Sequence, residues 1–447
     1  MKPWRLAFLA LLVAAHSLLA QPVLRLKGIG AKADMQEPSA LGGAEALKAG
    51  THTIVQMEEH ADLKEALDEL IRRGARVVAY VPDGAALVWT EEAIPLDGLP
   101  VAWAGELRSG WKLSGELVYA GAMTVVAEFH PDVDIELART RAVGLGLAIR
   151  EHPDLAAGHL IVTGEPDQIW RLAELDETAY VYPVSPELAG GEAVHACASA
   201  ITAVGPVGQY VATVGDGWDG PGRGAAALSF VFGPLTDRLS AEQSKSEIRR
   251  AFDAWSSVAA IDFQEATGTG LQRSIAILFG EGDHGDGYPF DGPGRGLAHT
   301  FFPAPPNPEP IAGDMHLDGA EPWRAGADVD LFSVALHELG HALGLGHSDR
   351  PGAVMYPYYR QAAGLTAEDI AAIRTLYAAR ETNPSEPPPQ PPPPRPSAPL
   401  ALTVTPPASP VRLASVVVQG SAAGGSGSVR VTWVSDRGGT GWLDLPV

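Results

Sequence analysis

The chain cannot form an internal disulfide, because its 447 residues include a single cysteine, Cys197. An exported fold without that crosslink must be held by packing and, where ligands allow, by metal ions. Basic side chains are also scarce: 32 Lys and Arg stand against 54 Asp and Glu, for a formal charge of -22. That balance excludes nucleic acid as a partner, since phosphate backbones are held by basic surfaces. It disfavours anionic membranes for the same reason, and it leaves carboxylates to spare for calcium. No apolar run is long enough to cross a bilayer. The early run Leu6–Ala15 follows Lys2 and Arg5 and precedes Ala20, the layout of a secretory signal over residues 1–20. The mature chain is therefore expected to be soluble and extracellular.

Hydrophobic residues make up 46% of the chain, and 50 Gly with 38 Pro imply many turns and a linker. Two or three domains are expected. Residues 21–200 alternate strand-like and helix-like segments in two similar halves. The first half reads as a strand His52–Met57, a helix Leu63–Arg73 ended by Gly74, and a strand Arg76–Val81. The second reads as strands Met123–Phe129, Ala148–Glu151, His159–Val162 and Thr178–Val184, with helices Ile135–Leu145 and Ile169–Leu175. A small open α/β sheet with helices on one face is expected. The pattern resembles the paired propeptide-inhibitor-like modules that precede some bacterial subtilisin-type proteases. That resemblance implies a prosegment able to dock on whatever follows it.

Residues 205–380 form a second unit. Strands are expected at Ala227–Phe232 and Ser274–Phe279, and a helix from Ser240 to Trp255 aligns Ile248, Phe252 and Trp255 on one face. Residues 281–324 show little periodicity, and a loop that long in a compact domain is functional or pinned by ligands. Asp330 is placed to cap a helix Leu331–Leu343, and Thr366 with Asp369 forms a capping box for a helix to Ala379. Residues 381–399 are a Pro-rich, extended linker. Residues 400–447 read as short strands, Leu402–Val404, Ser415–Gln419 and Val429–Val434. They look like part of an Ig-like β module, shorter than the ~100 residues such a sandwich takes.

The chemistry is concentrated in His337-Glu-Leu-Gly-His341-Ala-Leu-Gly344-Leu-Gly-His347. Two imidazoles four residues apart project from one face of a helix. Gly344 lets the chain leave that helix in a left-handed turn, and His347 returns as a third ligand. Three nitrogen ligands with one open position are what a catalytic zinc takes, and Glu338 stands ready as general base. A helix with incidental histidines would not require the additional Gly344 and His347.

This motif resembles the metzincin zinc peptidases. Met355, in Ala353-Val-Met-Tyr-Pro357, is similar to the family's methionine turn, and Ser348 with Gly352–Pro357 resembles the matrixin branch. The resemblance covers roughly residues 205–380 and implies a metzincin catalytic domain of a twisted, mostly parallel sheet with three helices. It implies a structural zinc on His284, Asp286, His299 and His316. It also implies a calcium ion held by Asp291, Asp318 and Glu321 with carbonyls near Gly292, Gly294 and Gly296. Pro357 and Tyr359 would line the substrate pocket, Met355 would underlie the zinc, and the strand near Leu297–Phe302 would pair with extended substrate. Two departures stand out. Ser274 occupies an aspartate position of a further family calcium site, and the family's propeptide motif Pro-Arg-Cys-Gly-x-Pro-Asp is absent. Cys197, in His195-Ala-Cys-Ala, reads as a buried inert cysteine, with zinc ligation in a latent form as the alternative.

The function expected from these residues is a secreted zinc endopeptidase that cleaves internal peptide bonds of extracellular proteins. Its rivals are a non-catalytic zinc scaffold and an N-terminal recognition module with secondary protease activity.

Overall fold

The computed structural model describes residues 24–27, 44–197, 200–203, 205–211, 217–218, 224–294, 296–304 and 306–380, and four strands within 401–446. The expected signal (1–20), the linker (381–399) and most of the strand expected at Ser415–Gln419 lie outside the described residues. The chain divides into two units, Met1–Glu381 and Thr382–Val447.

The first unit opens with β1 (Ala46–Leu47), β2 (Thr53–Met57), α1 (Leu63–Arg72), β3 (Ala75–Val81), β4 (Ala85–Thr90), β5 (Ile94–Pro95) and β6 (Val101–Glu106). It continues with β7 (Met123–Phe129), α2 (Ile135–Gly144), β8 (Ala148–Arg150), β9 (His159–Gly164), α3 (Pro166–Glu174) and β10 (Thr178–Pro183). The single open sheet expected here is instead two four-stranded antiparallel sheets, β3-β4-β2-β6 and β10-β7-β9-β8. With the strands of each half counted in chain order, both sheets run fourth, first, third, second. The duplication is therefore one of topology, with β5 and its flanking loop standing where the second half has α3. β4 escaped the sequence reading because it is buried along almost its whole length and shows no period-two alternation.

A connecting stretch follows: α4 (Pro186–Gly190), β11 (His195–Ala196), β12 (Ala200–Thr202) and β13 (Gly205–Pro206). The remaining elements of this unit are β14 (Ala226–Phe232), α5 (Ala241–Val258), β15 (Ile261–Glu265), β16 (Ser274–Gly280), β17 (Ala298–Phe301), β18 (Met315–Asp318), α6 (Leu331–Ala342), β19 (Tyr358–Tyr359) and α7 (Ala367–Leu376). Seven strands form one sheet in the order β13-β12-β17-β18-β16-β14-β15, parallel except at β17/β18 and β12/β13. The stretch 281–324 is thus not structureless, since it contains β17 and β18. Each has only four residues, too few for periodicity to register.

The core of this sheet is filled by Phe230, Ile248, Phe252, Trp255, Ile275, Ile277, Met315 and Leu317 against the apolar side of α6. A second cluster joins Ile54, Tyr80, Trp103, Tyr180 and Tyr182 of the N-terminal sheets to Phe302, Tyr356 and Tyr358. Burial of several aromatic side chains contributes about 2–3 kcal/mol each, so this contact belongs to the fold of the first unit. In the second unit β20 (Ala401–Thr405) pairs with β21 (Gln419–Ala423), and β22 (Ser428–Val434) pairs with β23 (Thr440–Pro446), each antiparallel.

Candidate active site

All twelve residues of α6 are buried. The helix starts at Asp330, whose carboxylate accepts from Ser333 N at 3.2 Å and Gly326 N at 2.6 Å. Its end is equally controlled. Trp218 Nε1 donates to Ala342 O at 2.8 Å and Tyr377 OH to Leu343 O at 2.9 Å, satisfying carbonyls that a helix terminus leaves without partners. Gly344 then takes φ +96°, a conformation open to glycine at no steric cost, and the chain turns back toward the helix face.

That turn brings three imidazoles together. His337 Nε2 lies 3.1 Å from His341 Nε2, which lies 3.2 Å from His347 Nε2. His337 Nδ1 sits 2.6 Å from Val354 O and His341 Nδ1 sits 2.7 Å from Leu345 O. A carbonyl can only accept, so each Nδ1 carries the proton and each Nε2 turns a lone pair inward. Burial holds the His337 imidazole down to about 4 and the other two well below the ordinary value. Neutral rings with converging lone pairs are the donor set zinc takes, so these residues fit the ion.

Glu338 is 1% exposed, and burial pushes its carboxyl up to about 7 against hydrogen bonds that lower it. Thr300 Oγ1 donates to its Oε2 at 2.7 Å. Cys197 Sγ lies 3.3 Å from its Oε1 and 3.7 Å from His341 Nε2. The ligand atoms of Cys197, His337, His341 and His347 all fall within 4.8 Å of one another. The expectation of an inert cysteine is therefore corrected: the thiol stands at the fourth corner of the ligand cluster. Its position is set by the chain on either side. His195 and Ala196 pair antiparallel with Tyr359 and Tyr358, Cys197 N donates to Pro357 O at 2.9 Å, and Ala200 and Ile201 pair parallel with Thr300 and Phe301. The β17 edge, expected to be open to substrate, carries the chain's own β12.

Met355 is fully buried under the cluster, with its side chain against Gly340. The turn that holds it hangs on Asp369, whose carboxylate accepts from Val354 N at 3.1 Å and Met355 N at 3.2 Å while also capping α7 through Thr366. Beside Glu338 opens a cavity of about 200 Å³ lined by Leu297, Val334, Val354, Tyr359 and Arg360. Tyr359 lies in its wall. Pro357 does not line it and instead borders a second groove shared with Cys197 and His347.

A second cluster lies at the sheet's other face. His299 and His316 are cross-strand partners on β17 and β18. Asp286 Oδ2 lies 2.7 Å from His299 Nε2, 2.7 Å from His316 Nδ1 and 2.8 Å from His284 Nε2. Phe290 stacks on His284 and His299 with centroids 4.7 and 4.8 Å away. Burial raises the Asp286 carboxyl, but hydrogen bonds from Tyr288 N and the imidazoles outweigh it and hold it near 2. Burial also lowers His299 to about 4. One carboxylate and three imidazoles around a common point make a closed four-ligand set suited to a structural zinc.

The carboxylates expected to hold calcium are partly assembled. Glu321 Oε1 accepts from Gly294 N at 2.7 Å. Asp318 is fully buried, its Oδ2 has no hydrogen-bond partner, and burial raises its carboxyl with Asp291 and Glu281 nearby in charge. A buried carboxylate oxygen left without a donor fits a cation. Gly292 and Gly294 adopt φ +86° and +89° in the loop above it. Gly296 lies in the same loop.

Thr300 and the second task of Asp369 were not read from the sequence. The alternation of β17 was the available signal for Thr300: with His299 on one face, Thr300 must face the other. For Asp369 the capping box was legible, but its bonds to the methionine turn join segments fourteen and fifteen residues apart.

The family model for matrixins matches residues 223–378. The hatching enzyme of Paracentrotus lividus is 44% identical over 157 residues, 34% of this chain and 25% of that protein. Human matrix metalloproteinase-16 is 40% identical over 163 residues, 34% of this chain and 26% of that protein. Rat matrilysin is 45% identical over 140 residues, 30% of this chain and 50% of that protein. The chain thus spans between a quarter and a half of these relatives, and the shared part is the segment that carries both histidine clusters. The likeness to matrixins is thus a likeness of residues 223–378, the segment their family model matches.

Proposed function

We propose that the chain is a secreted, zinc-dependent endopeptidase that hydrolyses internal peptide bonds of extracellular proteins, and that residues 195–202 keep it latent. The observation that carries this reading is the convergence of three Nε2 atoms beside a buried carboxylate. Zinc held there supplies Lewis acidity, which activates water and polarises the scissile carbonyl. Glu338 takes the proton of the attacking water and delivers it to the leaving amine, with a pKa near 7 that suits both steps. Thr300 fixes one oxygen of Glu338 and leaves the other for the water. The cavity beside Glu338 receives the side chain after the cleaved bond, and Tyr359 in its wall is held by Asp330 N at 2.8 Å.

Latency follows from what stands in the cleft. The Cys197 sulfur stands where it would complete the ligand set of a bound zinc, and it crowds the oxygen of Glu338 that would hold the water. β11 and β12 lie along both walls, where an extended peptide would pair. The N-terminal double module acts as a prosegment, and the closed cluster at Asp286 and the carboxylates at Asp318 hold structural zinc and calcium. A purely structural zinc scaffold has no need of Glu338, which disfavours that alternative. The test is casein hydrolysis by the full chain before and after alkylation of Cys197, with and without chelator. Activity should emerge on alkylation and vanish with chelator. A zinc-loaded chain that stays inert with its thiol blocked would defeat the reading.

A further inference from the structure

Asp349 lies two residues beyond His347, at the start of the loop that carries Met355. Three side chains from three separate parts of the N-terminal region converge on it. Lys27 Nζ reaches Oδ1 at 2.8 Å, Gln209 Nε2 reaches the same oxygen at 3.2 Å, and Tyr180 OH donates to Oδ2 at 2.7 Å. Lys27 and Asp349 keep only 7% and 10% of their side chains exposed, and Tyr180 is fully buried. Every one of these donors lies outside the matrixin segment. The neighbouring contacts repeat the pattern: Tyr356 OH donates to Pro183 O at 2.9 Å, and Tyr358 OH lies 2.6 Å from His159 Nδ1.

We propose that Asp349 is the recognition point of a second lock, independent of the thiol, by which Lys27, Tyr180 and Gln209 of the N-terminal region grip the loop behind the third imidazole. The proposal rests on the latency reading above and deepens it. Its partner is this chain's own Lys27, Tyr180 and Gln209, recognised by a buried carboxylate that has no other hydrogen-bonding or ionic partner among the described residues. Separating the two sides strands an ammonium and a carboxylate that were paired out of water, which makes removal of one partner far costlier than at an exposed pair. The pair Arg350–Glu116, 2.9 Å apart but 58% and 42% exposed, crosses the same contact and supplies the contrast.

The experiment measures opening of the contact in the intact, zinc-loaded chain as the rate of Cys197 alkylation by iodoacetamide. Asp349→Asn and Lys27→Met should each raise that rate about tenfold or more, because each leaves a buried charge without its partner. The double variant should exceed neither single by much, since the two residues act as one unit. Tyr180→Phe, which removes one hydrogen bond and keeps the packing, should give a smaller rise, and Arg350→Ala should stay within about twofold. Thermal unfolding of each variant shows whether the fold is retained, and Tyr180→Phe keeps the test open should a charge variant not fold. Parent-like rates in Asp349→Asn and Tyr180→Phe, or single effects that simply multiply, overturn the proposal. Because hydrolysis is not read, a chain that never cleaves protein would defeat the endopeptidase reading and leave this result standing.

Discussion

Cys197 and Glu338 are 141 residues apart in sequence, yet the sulfur lies 3.3 Å from Oε1 of the carboxylate. The thiol therefore occupies the place where the general base would hold water. Cys197→Ser removes the soft ligand and should raise basal hydrolysis of casein by about tenfold or more, with no further gain from thiol reagents. A variant as silent as its parent would show that the sulfur contributes nothing to latency.

Glu338→Ala should lower hydrolysis by a factor of about 10²–10⁴, the range in which a positioned proton acceptor contributes. Zinc content, measured by atomic absorption, should not change, because the proposed ligands are His337, His341 and His347. Hydrolysis at the parent rate would remove the proposed base from the mechanism.

A methyl group at Gly340 would run into the Met355 side chain, with Cε 2.9 Å and Trp255 Cζ2 3.2 Å away. The gain in helix propensity from Gly340→Ala is under that strain, and overpacking of this kind costs about 1–3 kcal/mol. Denaturant midpoints should fall accordingly, and zinc should be lost at lower chelator concentrations than in the parent. Unchanged midpoints would mean that Met355 has room to move.

His130 links acidity to the N-terminal region. It is fully buried, neither ring nitrogen has a hydrogen-bond partner among the described residues, and it stacks on His52 at 4.1 Å. Burial first, then the charges of His52 and Lys112, hold its pKa well below the ordinary value. The unfolded chain takes up a proton there below about pH 6.5 while the folded chain does not, so stability falls with pH in that range. His130→Phe should lose less thermal stability than the parent between pH 7 and 5. His52 works in the opposite direction: burial lowers it, but Asp132 and Asp176 outweigh burial and raise it. Its contribution is complete below the unfolded value and fades as pH rises through the folded one. The two rings are in contact, so the difference between the proteins reads His130 together with its effect on His52. Parallel unfolding curves would exclude His130 as the acid-sensitive group.

The histidine cluster was legible from residue order because α6 fixes it locally. A four-residue spacing puts His337 and His341 on one face, and Gly344 needs only its own freedom to return His347. The capping residues Asp330 and Thr366 were legible for the same reason, since a cap lies within three residues of what it bonds. β4, β17 and β18 were not. Short or fully buried strands carry no period of their own, and their identity comes from the strands beside them.

The residue order by itself determined the grouping of the three imidazoles, the place of Glu338 beside them and the turn at Met355, because helix geometry and a glycine turn convert spacing directly into position. Only tertiary structure decided what fills the cleft. Cys197 gains its meaning from β11 and β12 pairing with strands over a hundred and fifty and a hundred residues away, and Asp349 from donors at Lys27, Tyr180 and Gln209. Such contacts depend on how separate sheets pack, which no local pattern in the chain encodes.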